Sequence, residues 1–327
     1  MRAMVIDEYG PPDVLHMAEV PKPTPGPDDV LIRVHATQVA AADYRVRGSN
    51  FPAFAWLPAR MMFGLRRPKF RILGGNFAGE VTAVGSNVRR FDVGDRVFGS
   101  TSGKFGAYAE FLCIPDDTAM TKMPAGMTYE EAAAIPFGAL TATFWLRDKC
   151  DIKPGQDVLI YGASGAVGTA AVQLAKHFGA AVTGVCSTAN AELVESLGAD
   201  RVIDYTKTDF TKEGRRYDVI FETVGKSSVA GGMGVLKDNG IYLANAIGMS
   251  TLAQMLRYSV GSSKKIIGTV ARFSREDLEF IRDLYDAGEF KAVIDRSYPF
   301  EEMPEAHRYA DTGHKKGNVV VMIEHEG

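Results

Sequence analysis

The sequence predicts an α/β protein of two domains, one β-rich and the other built on a doubly wound parallel sheet. Three observations predict this. The 327 residues exceed one average domain. The first third reads as short apolar segments punctuated by Pro and Gly, whereas from Thr128 onward strand and helix patterns alternate. Within that second part, VLIYGASGAVGTAAVQLAK at residues 158–176 reads as a strand, a glycine turn and a helix.

Taken in order, the β-rich part offers the strands AMVIDE, VLIRVHA, GEVTAVG, DRVFGS and AYAEFLCI, separated by turns such as PKPTPGPDD. Thr128 and Glu131 have the spacing of a capping box, opening a long apolar helix, EEAAAIPFGALTATFWL, with an interruption expected near Pro136. VLIY, AVTGV, RVIDY, DVIFETV, GIYLAN and KKIIGTV follow as strands, with helices TAAVQLAKHF and ANAELVESLG between the early ones. That order gives βαβ units and a sheet covered on both faces. SREDLEFIRDLYDAG is an amphipathic helix, and the tail from Val293 reads strand, helix, strand, returning to the β-rich part.

Composition narrows the partners. Hydrophobic residues make up 46% of the chain, so disorder is not expected, and a net charge of −3 without a like-charge block argues against a nucleic-acid surface. The opening MRAMVIDEYG lacks a signal-peptide core and no run of eighteen apolar residues occurs, so no membrane partner and a cytoplasmic location are expected. Cys113, Cys150 and Cys186 are too far apart for a zinc ribbon or a disulfide framework, and are read as reduced, mostly buried thiols.

Gly162, Gly165 and Gly168 are spaced one residue wider at the front than the usual dinucleotide fingerprint, but the strand before and the helix after supply its required context. Gly165 would let backbone approach a pyrophosphate, Gly168 would let helix and strand pack closely, and the N–H groups opening the helix would face the anion. The cofactor is settled by the residue closing the next strand, where an acid hydrogen-bonds the ribose of NAD and repels a 2′-phosphate. Here GVCSTANAEL offers Ser187, Thr188 and Asn190 instead, which favours NADP, with no cation in the turn itself. Tyr205, closing RVIDY, is either a further donor or a packing aromatic.

YGPPDVL, GEVTAVGSNVRRFDVGDRVFG, FGAYAEF, AAAIPFGALTA, the glycine loop, SLGADRVIDY and EAHRYADTGHKKGNVVV together resemble the zinc-independent quinone-oxidoreductase branch of the medium-chain dehydrogenases and reductases, over nearly the whole chain. The resemblance implies a GroES-like β-rich catalytic domain, residues 1–124 and 269–327, and a Rossmann NADP-binding domain, residues 125–268, with the active site in the cleft between them and commonly a homodimer. It places Ser164, Gly165, Ala166 and Val167 at the pyrophosphate, Ser187, Thr188 and Tyr205 at the 2′-phosphate, and Thr141 and Asn318 beside the nicotinamide. Val224, closing DVIFETV, and Ala246, just after GIYLAN, are assigned to the cofactor as well. The chain departs from the family pattern in having Ala40 where Asn is frequent, Ala189 where Lys or Arg is frequent, and Asn318 where the closing motif commonly has Lys.

Zinc-dependent relatives hold metal with Cys and Gly-His-Glu motifs; the corresponding stretches here, AAADY and GGNFAGE, supply no ligand set, and His35, His177, His307 and His314 are scattered. No metal is therefore expected. Without a metal to help ionise a hydroxyl, alcohol oxidation is disfavoured, whereas hydride transfer from NADPH to a quinone or an α,β-unsaturated carbonyl needs only positioning and donors, each worth on the order of 10²-fold. Asp43, Tyr44 and Asn76 are the candidate catalytic side chains, with water supplying the proton; Asp43 reads more readily as a structural turn carboxylate than as a catalytic group. The alternatives are a non-catalytic NADPH-binding protein and an enoyl-thioester reductase, though the latter branch places Tyr near Asn50 and Phe51.

Residues 49–75, SNFPAFAWLPARMMFGLRRPKFRILGG, are too long for an ordinary turn. They read either as a short helix packed on the β-rich domain or buried in a subunit contact, or, by the resemblance, as a cleft wall in which Phe51, Phe54, Trp56 and Phe63 hold a flat hydrophobic acceptor.

Overall fold

In the computed structural model, residues 1–245, 248–258 and 262–325 are described. The chain runs β1 (Arg2–Val5), β2 (His16–Glu19), β3 (Asp29–Gln38), α1 (Ala41–Gly48), α2 (Ala53–Phe63), β4 (Asn76–Val84), β5 (Arg96–Ser100), β6 (Phe111–Pro115), β7 (Met120–Lys122) and α3 (Tyr129–Thr143). It continues through β8 (Asp157–Tyr161), α4 (Ala166–His177), β9 (Ala181–Cys186), α5 (Ala191–Ser196), β10 (Arg201–Asp204), β11 (Tyr217–Glu222), α6 (Val229–Val235), β12 (Leu236–Ala244), α7 (Met249–Tyr258) and β13 (Lys265–Gly268). It ends with α8 (Arg275–Asp286), β14 (Ile294–Pro299), α9 (Met303–Asp311) and β15 (Asn318–Met322). Two compact units result: residues 1–137, 273–286 and 292–327, and residues 138–272 and 287–291.

The first unit carries a sheet in the order β14-β15-β3-β4-β5-β7, with β6 also pairing β3. The tail does return to it: β15 pairs β3 antiparallel, Val321 opposite Thr37, and β14 pairs β15 in parallel. Alternation along β3 buries Val30, Ile32 and Val34, which join Phe77, Val81, Val97, Val319 and Val321 in one core. β2 and β7, too short to leave an alternating signature, were not legible in the sequence.

The second unit is a parallel sheet in the order β10-β9-β8-β11-β12-β13. The order reverses between β8 and β11, and in such sheets ligands bind at that switch point, outside the carboxyl ends of the strands. The capping box forms, with Thr128 N–H donating to Glu131 Oε2 at 3.0 Å and Glu131 N–H to Thr128 Oγ1 at 3.2 Å. The expected interruption at Pro136 does not occur: α3 passes through it, because burial of Ala132, Ala133, Ile135, Ala139 and Leu140 outweighs one lost backbone hydrogen bond. Of the thiols, only Cys186 is buried; Cys113 and Cys150 are half-buried and all are unpaired.

Candidate active site

The glycine loop is built for close approach of backbone. Gly162 has φ +83°, and a Cβ there would lie 2.2 Å from Val224 Cγ2, so the turn out of β8 packs against the turn out of β11. A Cβ on Gly168 would stand 2.1 Å from Gly162 O, which only glycine allows where α4 crosses the end of β8. Gly165 is different. Its φ of −83° suits any residue and a Cβ would come no nearer than 3.6 Å to the protein, at Gly162 O. Nothing among the described residues demands glycine there.

Gly165 is also the N-cap of α4, and no side chain caps that helix. The first N–H groups of a 12-residue helix therefore point outward at its positive end without an intramolecular side-chain partner. Such an end, with room left by an unneeded glycine, fits an anionic phosphate group. Gly138, on α3, lies against the same end, since a Cβ there would meet Ala166 O at 2.3 Å; Thr141, one turn further on, is buried.

The turn after β9 reaches back to this loop. Asn190 Nδ2 donates to Ser164 Oγ at 3.1 Å, while Asn190 Oδ1 is buried without a partner among the described residues. An unpartnered buried carbonyl oxygen awaits a donor, and a ribose hydroxyl is of that kind. Ser187 opens the turn, Thr188 and Ala189 are exposed, and Tyr205 stands half out in solvent, with its N–H on Cys186 O at 3.1 Å. Ser164, Ser187, Thr188, Asn190 and Tyr205 thus gather at the carboxyl ends of β8, β9 and β10, while Val224 lies against Gly162 from β11. Ala246 lies outside the described residues.

Two acids here escaped the sequence reading. Asp204, ending β10 opposite Cys186, accepts from Thr188 Oγ1 and from Thr206 N–H and Oγ1, at 2.9 and 2.7 Å, with Lys207 Nζ at 3.4 Å. These partners, Thr188 foremost, hold its carboxyl well below the usual carboxylate range. A carboxylate therefore does stand beside the neutral turn, supplied by β10 rather than β9. Glu222 is buried at the end of β11 and accepts from Val224, Gly225 and Lys226 N–H at 3.2, 2.6 and 3.2 Å, fixing the turn that presses Val224 on Gly162. Burial raises its pKa against those donors. Its signal was an acid at the end of an otherwise apolar strand, IFETV.

The candidate catalytic residues lie in the first unit. Asp43 is fully buried; Oδ2 accepts from Ala40 N–H at 2.8 Å and Oδ1 from Gly74 N–H at 3.2 Å, with the Tyr108 hydroxyl beside it. Burial nevertheless pushes its pKa up to about 7. A chain of fixed polarity stands behind it: Arg47 can only donate, to His307 Nδ1 at 3.0 Å, so His307 Nε2–H donates to Tyr108 Oη at 3.1 Å, and the Tyr108 hydroxyl lies between Gln38 O, at 3.5 Å, and the Asp43 carboxyl. Burial, then Arg47, holds His307 well below its ordinary pKa, hence neutral. This occupancy gives Asp43 the part of a cap for α1, reaching back from its third residue to the Ala40 amide.

Tyr44, beside it, is half-buried with its pKa raised by burial. Asn76 is buried with Oδ1 unpartnered among the described residues, as is Gln38 Oε1 on the neighbouring strand. Gln38 Nε2 donates to Asn318 Oδ1, and Asn318 Nδ2 to Val293 O at 2.9 Å, so the Asn318 side chain is already satisfied within the sheet. The four aromatic residues assigned to substrate do not form one surface. Phe51 and Phe63 stack at 5.7 Å and join Phe70 and Phe105 against the core, whereas Phe54 and Trp56 are exposed on α2.

Comparison with known proteins is consistent across the chain. Residues 26–125 match the alcohol dehydrogenase GroES-like domain and residues 197–321 the zinc-binding dehydrogenase domain. The chain is 34% identical to the mouse NAD(P)H oxidoreductase RTN4IP1, mitochondrial, over 99% of its own length and 89% of that protein, and 31% identical to the 2-methylene-furan-3-one reductase of Solanum lycopersicum, over 98% and 79%. It superimposes on the quinone oxidoreductase of Coxiella burnetii with a TM-score of 0.88 at 27% identity, covering 99% of each chain. The chain belongs to the quinone-oxidoreductase branch of the medium-chain dehydrogenase/reductase family.

As a member of that family it is an oxidoreductase with a GroES-like and a Rossmann-type unit. The matched domain's name mentions zinc, yet among the described residues no three His, Cys, Asp or Glu side chains lie together as a ligand set. Asp43 accepts from the backbone amides of Ala40 and Gly74, and Asn76 is buried with its Oδ1 unpartnered among the described residues.

Proposed function

We propose that this chain is an NADPH-dependent reductase that delivers hydride to quinones or α,β-unsaturated carbonyl compounds without a metal. The observation that carries the reading is Gly165, a glycine its own fold does not need, at the uncapped positive end of α4. When bound, a reduced nicotinamide dinucleotide would supply the hydride. The first-turn amides of α4, with Ser164, would hold its phosphates, and Asn190 Oδ1 would accept from a ribose hydroxyl. Ser187, Thr188 and Tyr205 would flank the 2′ position. Asp204 tempers the preference for a 2′-phosphate, but its negative charge is largely answered by Thr188, Thr206 and Lys207.

On the acceptor side, Asn76 and Tyr44 would orient the carbonyl while Asp43 holds α1, and so Tyr44, in place. Hydride adds to a conjugated carbon and the oxygen takes its proton from water. The relatives named above include a quinone oxidoreductase and a reductase of a conjugated furanone, which supports both acceptor classes.

The test is NADPH oxidation followed at saturating enzyme with a panel of simple quinones, alkenals and alkenones, repeated with NADH. Turnover with conjugated acceptors and none with saturated aldehydes is expected. Tight dinucleotide binding with no turnover on any acceptor would contradict the reading.

A further inference from the structure

We propose that α2 and the basic segment after it dock this protein on an anionic phospholipid surface. α2 has no buried residue along its 11 positions. Phe54, Leu57 and Met61 recur three and four residues apart, so they share one face, and they are 42%, 54% and 74% exposed. Met62 and, just beyond the helix, Leu65 are exposed beside this face, and Trp56 is exposed on the flank that carries Arg60, whose guanidinium lies 5.5 Å from its ring. Isolated exposed hydrophobics are ordinary, whereas a contiguous set on one helix marks a binding surface. The helix is well anchored: Tyr9 Oη donates to Phe63 O and Gly64 O at 2.7 and 2.8 Å, and Arg60 stacks on the Tyr9 ring at 3.9 Å.

Charge selects the occupant. Residues 49–75 contain no Asp or Glu. Arg60 is engaged by Ser49 and Leu65 O, and Arg71 by Asp7, which also meets His16. Arg66, Arg67 and Lys69, directly after Leu65, are exposed and form no ion pair among the described residues. Exposed Trp, Phe, Leu and Met beside unpaired cations is the chemistry of a helix lying in the headgroup boundary of an acidic membrane. A two-fold contact with a second copy would instead bring like charges from the same acid-free segment toward each other. Hydropathy gave no sign of a membrane because it detects spans, and no described helix is long and apolar enough for one.

The test is co-sedimentation with phosphatidylcholine vesicles, with and without phosphatidylglycerol. Emission is followed in parallel, since of the two tryptophans Trp145 is fully buried and only Trp56 can report. Binding to the anionic vesicles alone, weakened by salt, with a blue shift of Trp56, is expected. Arg66→Glu with Arg67→Glu should reduce partition by more than about tenfold, given roughly fivefold per cation lost, and Leu57→Ser with Met61→Ser should reduce it too. All four side chains are exposed, so an unchanged circular dichroism spectrum is the control for folding. Absence of vesicle binding, or equal binding of the charge-reversed variant, would overturn the proposal. So would a Leu57→Ser/Met61→Ser variant that changes oligomeric mass and not vesicle affinity, which would assign the face to a second copy of the chain.

Discussion

Asn190 Nδ2 donates to Ser164 Oγ at 3.1 Å and so ties the turn after β9 to the glycine loop after β8. The contact leaves Asn190 Oδ1 buried and unpaired among the described residues until something else donates to it. Asn190→Ala should therefore weaken NADPH binding by about 1–2 kcal/mol, some five- to thirtyfold, through loss of one hydrogen bond and of loop order. Removing an unsatisfied buried oxygen should at the same time leave thermal stability close to that of the parent. Titration calorimetry and a melting curve on the same preparation give both values; a large drop in melting temperature with intact affinity would make the contact purely structural.

Cofactor preference is set against Asp204. Its carboxylate binds the Thr188 hydroxyl, which is thereby withheld from a phosphate, and the exposed Ala189 adds no cation. Ala189→Arg should raise NADPH affinity roughly tenfold for each 1.4 kcal/mol of phosphate pairing while NADH is little changed. Asp204→Asn should shift the NADPH to NADH ratio in the same direction. If both variants leave the ratio of dissociation constants unaltered, the 2′ position lies elsewhere.

Asp43 makes a pH-dependent contribution with a definite sign. In the unfolded chain it ionises near 3.8, and burial moves it up to about 7 in the native state. Between those values the native state keeps a proton that the unfolded chain has released. Its contribution is full below pH 3.8 and is lost as pH rises through about 7. Asp43→Asn does not titrate, so the stability of the parent relative to this variant should fall by about 1.4 kcal/mol per pH unit across that window. Urea unfolding of both proteins across the window measures it, and a constant difference would mean that Asp43 is ionised in the native state throughout.

Most of the fold was legible because its signals are local. The capping box at Thr128 and Glu131, the strand-glycine-helix run around Gly162 and the alternation of β3 each depend on residues within a few positions of one another. What escaped depended on partners distant in the chain. Asp204 follows Thr188 by sixteen residues and meets it only because β10 pairs with β9. The division of the aromatic residues was hidden for the same reason: Phe63 turns inward to Phe105, forty-two positions away, while Trp56 stays outside. Pro136 failed as a breaker because burial on α3 is stronger than a local propensity.

That same split predicts opposite behaviour within one segment. Phe63→Ala should cost about 1–2 kcal/mol, because its half-buried ring packs against Phe51, Phe70 and Phe105 at the edge of the core. Phe54→Ala, at an exposed site, should stay within about 0.5 kcal/mol of the parent. Denaturant midpoints decide it, and equal losses would contradict the inward placement of Phe63.

Gly165→Ser probes the dinucleotide site most directly. A Cβ fits there without displacing protein atoms, and serine at an N-cap is better than glycine by a few tenths of a kcal/mol, its hydroxyl accepting from the first-turn amides. Those amides are the groups assigned to the cofactor's phosphates. NADPH affinity of the parent and the variant should therefore be measured by titration calorimetry beside their melting temperatures. A melting temperature equal to or above the parent's with affinity lowered by about tenfold or more, ~1.4 kcal/mol, is the predicted result. Unchanged affinity in a fully folded variant would show that the end of α4 does not hold the cofactor.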